Sequence, residues 1–211
     1  MADLSNQGVI LNVRDVYIAF LIKDSESGAE YEDPVKIPGT MQLQLAPRVA
    51  TAALYGDGRV RHQVNRVDGY NITFDHNKIP AQIIMKMKGQ HLDKETGVRR
   101  SAVTDQPKEF AMGWTAELTG EDVEVTWLPK CVSAPSNKNI QQATENINYS
   151  TDSLTVTSLA LEYNNDFEYI GDTSDKASGF NKEKAEKFFK KVPVLPPRKA
   201  DSTPDPDDTG A

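Results

Sequence analysis

The sequence predicts a mainly β protein, in which two packed antiparallel sheets form a β-sandwich or split barrel with one flanking α-helix. Three observations support this prediction. Several short segments alternate between apolar and polar residues, turn residues separate these segments, and a single segment between residues 12 and 170 combines helical periodicity with helix start and stop signals. Alternation with a period of two is typical of strands that bury one face.

The clearest strand pattern lies between residues 110 and 127. Phe110, Met112 and Trp114 alternate with small or polar residues, a turn follows at Thr119–Asp122, and apolar residues then alternate again up to Trp127. Alternation on both sides of a turn is typical of an antiparallel hairpin. We therefore expect a hairpin whose two tryptophans face the same core.

Four further segments complete the predicted strands. Asn12–Ile22 alternates first, Met41–Leu45 follows the turn at Pro38-Gly39, and Tyr70–Phe74 alternates with polar residues. In the last segment, Leu154–Tyr163, the apolar residues change from one face to the other. Such a change predicts a β-bulge or a strand that crosses between the two sheets.

The predicted helix follows the third strand. Pro80 suits a first helical position, Ile83 and Met87 share one stripe, and Gly89 suits the C-cap. The large apolar residues on the core-facing sides of these elements form the candidate core: Phe20, Leu43, Phe74, Ile83, Phe110, Trp114 and Trp127.

The chain divides into three predicted parts. Residues 1–11 form an N-terminal arm, and residues 12–170 form the β domain with a long loop at 47–69. Residues 171–211 form a C-terminal extension, in which a short helix at about 181–191 precedes a flexible tail rich in proline and aspartate. A connection as long as 47–69 is uncommon in a compact domain and is usually functional.

The composition argues against several classes of protein. The formal net charge of −7 over 211 residues disfavours nucleic-acid wrapping, and the single cysteine, Cys131, excludes an intrachain disulfide. The N-terminus lacks a secretory signal, and apolar runs are too short for a membrane anchor, so we expect synthesis in the cytoplasm. His62, His76 and His91 share no metal-ligand spacing, and no catalytic set is present. We therefore expect no metal, no cofactor and no enzymatic activity.

Arg59, Arg61 and Arg66 give the long loop a basic character. A nucleic-acid patch would need more aromatic residues among these arginines. The remaining interpretations are a solvated β-arm, or an arm that meets acidic surface on a second copy of the chain.

The order of these elements resembles the major tail protein of long-tailed, non-contractile bacteriophages, the subunit that builds the tail tube. The resemblance covers about Asn12 to Tyr163. The segments that carry it are Val13–Tyr17, Val35–Gly39 leading into Met41–Leu45, Tyr55–Gly58, Tyr70–Phe74 with the following helix, Gln106–Phe110, Leu128–Pro135 and Thr151–Leu161.

The resemblance implies two packed sheets, hexameric rings whose inner sheets join into one barrel, and stacking of these rings into a tube. It implies that the long loop reaches the neighbouring ring and that the N-terminal arm takes part. The candidate stacking residues are Tyr55, Asp57, Arg59, Arg61 and Arg66. Implied partners are further copies of the chain and the tape-measure, tail-terminator and distal tail proteins.

The implied function is structural. The tube belongs to the tail of the virion and conducts genomic DNA into the host without binding it specifically, and acidic side chains in the lumen would repel the phosphates. The alternative function is a monomeric β-sandwich module that binds a host surface or a glycan. That alternative would require exposed aromatic residues on one face.

Overall fold

The computed structural model describes residues 8–56, 59–77, 79–134 and 152–198. It is mainly β, with 54% of the residues in strands and 11% in helices, and its strands form two antiparallel sheets. The larger sheet has nine strands and is not closed, and the smaller sheet has two. The predicted fold class is therefore confirmed.

The elements follow one another along the chain with two short helices among the strands. They are β1 (Ile10–Ser25), β2 (Gly28–Tyr31), β3 (Val35–Ile37), β4 (Thr40–Gly56), β5 (Arg59–His76), α1 (Ala81–Lys88), β6 (His91–Leu92), β7 (Arg99–Arg100), β8 (Phe110–Leu118), β9 (Val123–Ser133), β10 (Asp152–Leu159), β11 (Tyr169–Asp172) and α2 (Lys182–Phe188). The larger sheet has the order β2-β1-β8-β9-β10-β5-β4, with β3 added to β1 and β11 added to β9. Strands β6 and β7 form the smaller sheet.

The predicted hairpin is present as β8 and β9, but its two tryptophans lie on opposite faces of the sheet. Glu117 is opposite Val123, so Trp114 is opposite Thr126 and Trp127 is opposite Gly113. The turn fixes this register, and a shift of one residue reverses the face of every side chain. Trp114 is 6% exposed in the main core, and Trp127 is 0% exposed in a second cluster. The expectation of one shared core for both residues is therefore wrong.

The main core is formed by one face of the larger sheet together with α1. It includes Phe20, Phe74, Ile83, Phe110 and Trp114, and Leu43 packs against it while remaining partly exposed. The helix begins after Pro80 and ends at Gly89, whose φ of 67° is in the left-handed region. A Cβ atom at Gly89 would lie 2.2 Å from the carbonyl oxygen of Gln106, so only glycine fits this C-cap.

The second cluster covers the opposite face of the sheet, and the C-terminal extension supplies much of it. Trp127 Nε1 donates a hydrogen bond of 3.0 Å to the carbonyl oxygen of Phe188. The rings of Tyr17 and Phe189 are stacked, with centroids 4.6 Å apart. Val192 is 2% exposed in this cluster. The sequence predicts that the flexible tail begins at about Val192. The side chain of Val192 instead packs against the apolar face of the sheet around Trp127.

The change of apolar face near the end of β10 has a different cause from the one predicted. Leu154, Val156 and Ser158 remain on one buried face up to the end of the strand at Leu159. The chain then turns, and the amide of Asn165 donates to the carbonyl oxygen of Leu161. Leu161 lies in this turn, and its side chain is buried there. The apolar residues therefore change face because the strand ends, and not because of a bulge.

Two half-buried glutamates lie on β9 and next to β11. Glu124 is paired with Asp172 across these strands, and burial, followed by the charges of Asp172 and Glu168, raises the pKa of Glu124. Burial also raises the pKa of Glu168, although its carboxylate accepts a hydrogen bond of 3.0 Å from Tyr70 Oη. A half-buried negative charge beside other acids lowers stability at neutral pH.

We predict that Gly113→Ala destabilises the protein more than Gly171→Ala. A Cβ at Gly113 would lie 2.6 Å from the fully buried ring of Trp127, whereas a Cβ at Gly171 would meet Phe180, whose ring is partly exposed and able to move aside. Overpacking a fixed core costs about 1–3 kcal/mol. Urea unfolding followed by tryptophan fluorescence measures both variants, and equal unfolding midpoints would contradict the prediction.

We predict that Glu124→Gln stabilises the protein at pH 7–8 but not at acidic pH. The pKa of Glu124 is raised in the folded state, so this residue lowers stability as the pH rises from the unfolded value of about 4 through the folded value. Glutamine removes that penalty. The midpoints of urea unfolding, measured from pH 4 to pH 8, test the prediction. The control is Glu95→Gln, which makes the same change at an exposed residue. A stabilisation independent of pH would contradict it.

Candidate assembly surface

The outer parts of β4 and β5 extend beyond the rest of the sheet. Strand β10 pairs with β5 only from Asn71 to His76, so among the described residues the two segments 48–56 and 59–68, here called the arm, have only each other as strand-pairing partners. Every described side chain from 49 to 54 and from 59 to 68 is exposed. At about 3.3 Å per residue, the arm is about 30 Å long.

Residues 47–56 and 59–69 therefore form the paired strands of a long β-hairpin, where the sequence predicted a long loop of which a part could extend as a β-arm. The sequence gives a weak strand pattern here because neither face of the arm is covered, so the apolar residues are not confined to one face. Backbone hydrogen bonds between the two strands hold the hairpin instead. A two-stranded hairpin is only marginally stable in water by itself.

Both faces of the arm carry exposed side chains. On one face, Thr51 Oγ1 and Gln63 Nε2 donate hydrogen bonds of 3.1 and 3.2 Å to Asn65 Oδ1. The other face carries Leu54 and Val64, which are 66% and 49% exposed. Exposed apolar side chains therefore occur on both faces, because Val49 and Val67, which are 51% and 39% exposed, share the face of Thr51 and Asn65.

The predicted stacking residues are distributed along the arm. Arg59 and Arg61 lie near its tip and Arg66 lies opposite Ala50 nearer the base, all with exposed side chains. Tyr55 is on β4 and pairs with Val60 through the backbone, and Asp57 lies outside the described residues. The arginines are thus spread along the arm and do not converge on one point.

An acidic surface that the sequence analysis missed lies on the β1–β2 hairpin. Glu26, Glu30 and Asp33 are exposed there, and residues 24–33 contain five acidic side chains and no lysine or arginine. Two of the five are paired: Asp24 lies 2.8 Å from Lys130 Nζ, and Glu32 lies 2.6 Å from Lys86 Nζ. The absence of cations in this stretch was the available sequence signal.

The acidic hairpin and the basic arm leave the sheet in opposite directions. One row of the sheet runs from Phe20 through Phe110 and Cys131 to Ser158, and Thr157 beside it pairs with Asn71 of β5. From this row, β1 continues to its turn after Ser25. Because neighbouring strands are antiparallel, β4 and β5 extend the other way to the arm tip. Opposite charges therefore lie at opposite ends of the sheet.

The sheet also has unpaired strand edges. Within the described residues, β4 pairs only with β5, and the part of β1 from Ile10 to Asp15 pairs only with β8. Val9, Ile10 and Leu11, next to this edge and within the predicted N-terminal arm, are 66%, 61% and 67% exposed. Open edges readily pair with another chain.

The described part of the chain contains no group of three or more histidine, cysteine, aspartate or glutamate side chains placed to bind a metal ion. Cys131 is fully buried, and burial raises the pKa of its thiol. Among the described residues, no helix has the length and apolar character needed to cross a membrane.

Comparison with known families confirms the resemblance found in the sequence. A family model for phage tail tube proteins matches residues 38–192, which include β4, the arm, both helices and the buried Val192. The match therefore continues beyond Tyr163, where the resemblance found in the sequence ends, and includes part of the C-terminal extension. No curated protein matches the chain. The chain belongs to the phage tail tube protein family, and it is a structural component of the tail of the virion.

Proposed function

We propose that the protein assembles into hexameric rings that stack to form the tube of a long, non-contractile phage tail, through which DNA passes into the host. This role is structural and not catalytic. The observation that supports it most strongly is the arm, an exposed basic hairpin that leaves the sheet opposite an acidic hairpin in a member of the tail tube family.

Ring formation would use the open edges of the sheet. Strand β4 offers one unpaired edge, and the first part of β1 offers another. A contact between two different edges is heterologous, and repetition of such a contact around an axis closes a ring. Closure would pair backbone groups that are unpaired in the single subunit.

Ring stacking would use the two ends of the sheet. When subunits stack head to tail, the arm of one approaches the opposite end of the next, where Glu26, Glu30 and Asp33 are exposed. Attraction between arginine and carboxylate would orient the contact. Leu54 and Val64 would then lose their exposure to water, which adds the apolar contribution.

The tube would let DNA pass because its wall repels phosphate. The chain has a formal net charge of −7, and acidic side chains in a narrow lumen would raise the energy of bound DNA. Tape-measure, tail-terminator and distal tail proteins are the proposed further partners. A monomeric module for glycans or host surfaces has less support, since Trp114 and Trp127 are buried and do not offer a binding face.

We predict that the purified protein forms rings or tubes with increasing concentration, and that reversing two charges near the arm tip prevents stacking. The double variant Arg59→Glu/Arg61→Glu should raise the concentration at which tubes appear by about tenfold or more, which corresponds to at least about 1.4 kcal/mol per contact. Negative-stain electron microscopy over a concentration series measures this onset.

The control reverses two cations outside the arm, Lys94→Glu/Arg99→Glu, with the same change in net charge. Both side chains are exposed on or near the β6–β7 hairpin. This control should form tubes like the wild type. Adding Glu26→Lys and Glu30→Lys to the arm variant should restore tubes. Normal stacking by the arm variant, or equal loss in the control, would contradict the proposed contact, and a wild type that never assembles would contradict the proposed function.

A further inference from the structure

The arm begins at an irregular point in the β4–β5 pairing. Pro47 is opposite Tyr70, but Val49 is opposite Val67, so Arg48 lies opposite two residues, Asp68 and Gly69. Two residues opposite one form a β-bulge, which bends a strand and increases its twist. The bulge lies at the point where β10 stops pairing with β5, immediately before the arm.

The side chain of Arg48 ties this point to the sheet. Its Nη2 atom donates one hydrogen bond of 3.0 Å to the carbonyl oxygen of Asp68 and another of 3.0 Å to the carbonyl oxygen of Ser158 on β10. Its Nε atom is buried without a hydrogen bond in the described residues, 3.6 Å from Asp68 Oδ1. The guanidinium therefore joins three strands.

Gly69 and Ser158 complete the junction. Gly69 has a φ of 139°, and a Cβ atom there would lie 2.5 Å from the carbonyl oxygen of Ser158 and 2.9 Å from Arg48 Nη2. Ser158 is fully buried, and its Oγ accepts a hydrogen bond of 2.9 Å from the amide of Tyr70. We call the set Arg48, Asp68, Gly69 and Ser158 the elbow.

We propose that the elbow fixes the direction of the arm in the single subunit and thereby sets the rotation between successive rings. The second part rests on the proposed function, in which the arm contacts the next ring. In the part of the chain that the structure describes, no third strand pairs with the arm, so its direction depends on its attachment. The elbow provides two charge-assisted hydrogen bonds from Arg48. It also brings the backbone of Gly69 so close to Ser158 that no side chain fits at position 69. An arm aimed before contact loses less freedom on assembly.

The first test measures the direction of the arm below the concentration of assembly. Spin labels at Val60→Cys in the arm and Lys94→Cys in the body report one distance by pulsed electron resonance, and the buried Cys131 is protected from labelling. The elbow predicts a narrow distance distribution for the wild type and a broader or shifted one for Arg48→Ala. Arg48→Lys should lie between them, because lysine replaces only part of the hydrogen bonding.

The control for this test is Thr51→Val, which removes the hydrogen bond to Asn65 within the arm and leaves the elbow intact. It should give the wild-type distance. Near-UV circular dichroism of Trp114 and Trp127 shows whether each variant is folded. If Arg48→Ala does not fold, Arg48→Lys, which retains the positive charge, serves as the test variant. A wild-type distribution for folded Arg48→Ala or Arg48→Lys would overturn the proposal, whether or not the wild type forms tubes.

The second test measures the rotation per ring in tubes by cryo-electron microscopy. The arginine variants should change this rotation or widen its distribution, and Thr51→Val should not. A loss of folding stability alone would reduce the number of tubes without changing their geometry. An unchanged rotation in variant tubes would overturn the assignment of ring rotation to the elbow. A wild type without tubes would refute the proposed function and this second part together, while the distance measurement still decides the first part.

Discussion

The register of the β8–β9 hairpin is the constraint on which the rest of the subunit depends, because both faces of this hairpin are buried. Trp114 enters the main core, and Trp127 lies on the other face above Gly113, where a side chain would collide with its ring. The outward-facing indole then requires a cover. The C-terminal extension supplies it through Phe188, Phe189 and Val192. The extension is therefore part of the packed subunit.

A second constraint concerns backbone groups that have no partner within one subunit. The edge of β4 and the first part of β1 are unpaired in the described residues, and the arm has two exposed faces. In a monomeric protein such edges and faces favour aggregation. In the proposed tube they would instead contact neighbouring copies of the chain. The buried hairpin belongs to the packed body, and the unpaired elements are the surfaces that the proposed assembly would use.

These two regions meet at the elbow. The row of the sheet that contains Phe110 and Cys131 continues to Ser158, whose carbonyl oxygen accepts the hydrogen bond from Arg48. The attachment of the arm therefore rests on a strand that is itself held in the core by Leu154 and Val156. This continuity gives a physical route by which the packed body determines where an exposed, solvent-covered hairpin points.

Sequence patterns were sufficient where a residue's local environment decides its conformation. Alternation predicted the strands with one buried face, Pro80 and Gly89 marked the ends of α1, and the turn after Leu118 was placed correctly. The family was also evident from the order of the segments. The arginines of the arm were recognised, but the acidic hairpin that is their proposed counterpart was not, since its charges matter only in relation to a distant end of the sheet.

The sequence by itself determined the mainly β class, the helix that follows the third predicted strand and the family. Only the tertiary structure decided that Trp127 faces away from Trp114, that Val192 is buried and that residues 48–56 pair with residues 59–68. The physical reason is common to all three. Periodicity shows which side chains share a face of a strand. What covers that face depends on the register of the strand and on segments that are distant in the chain. A hairpin exposed on both faces leaves no periodic pattern, because backbone pairing holds it.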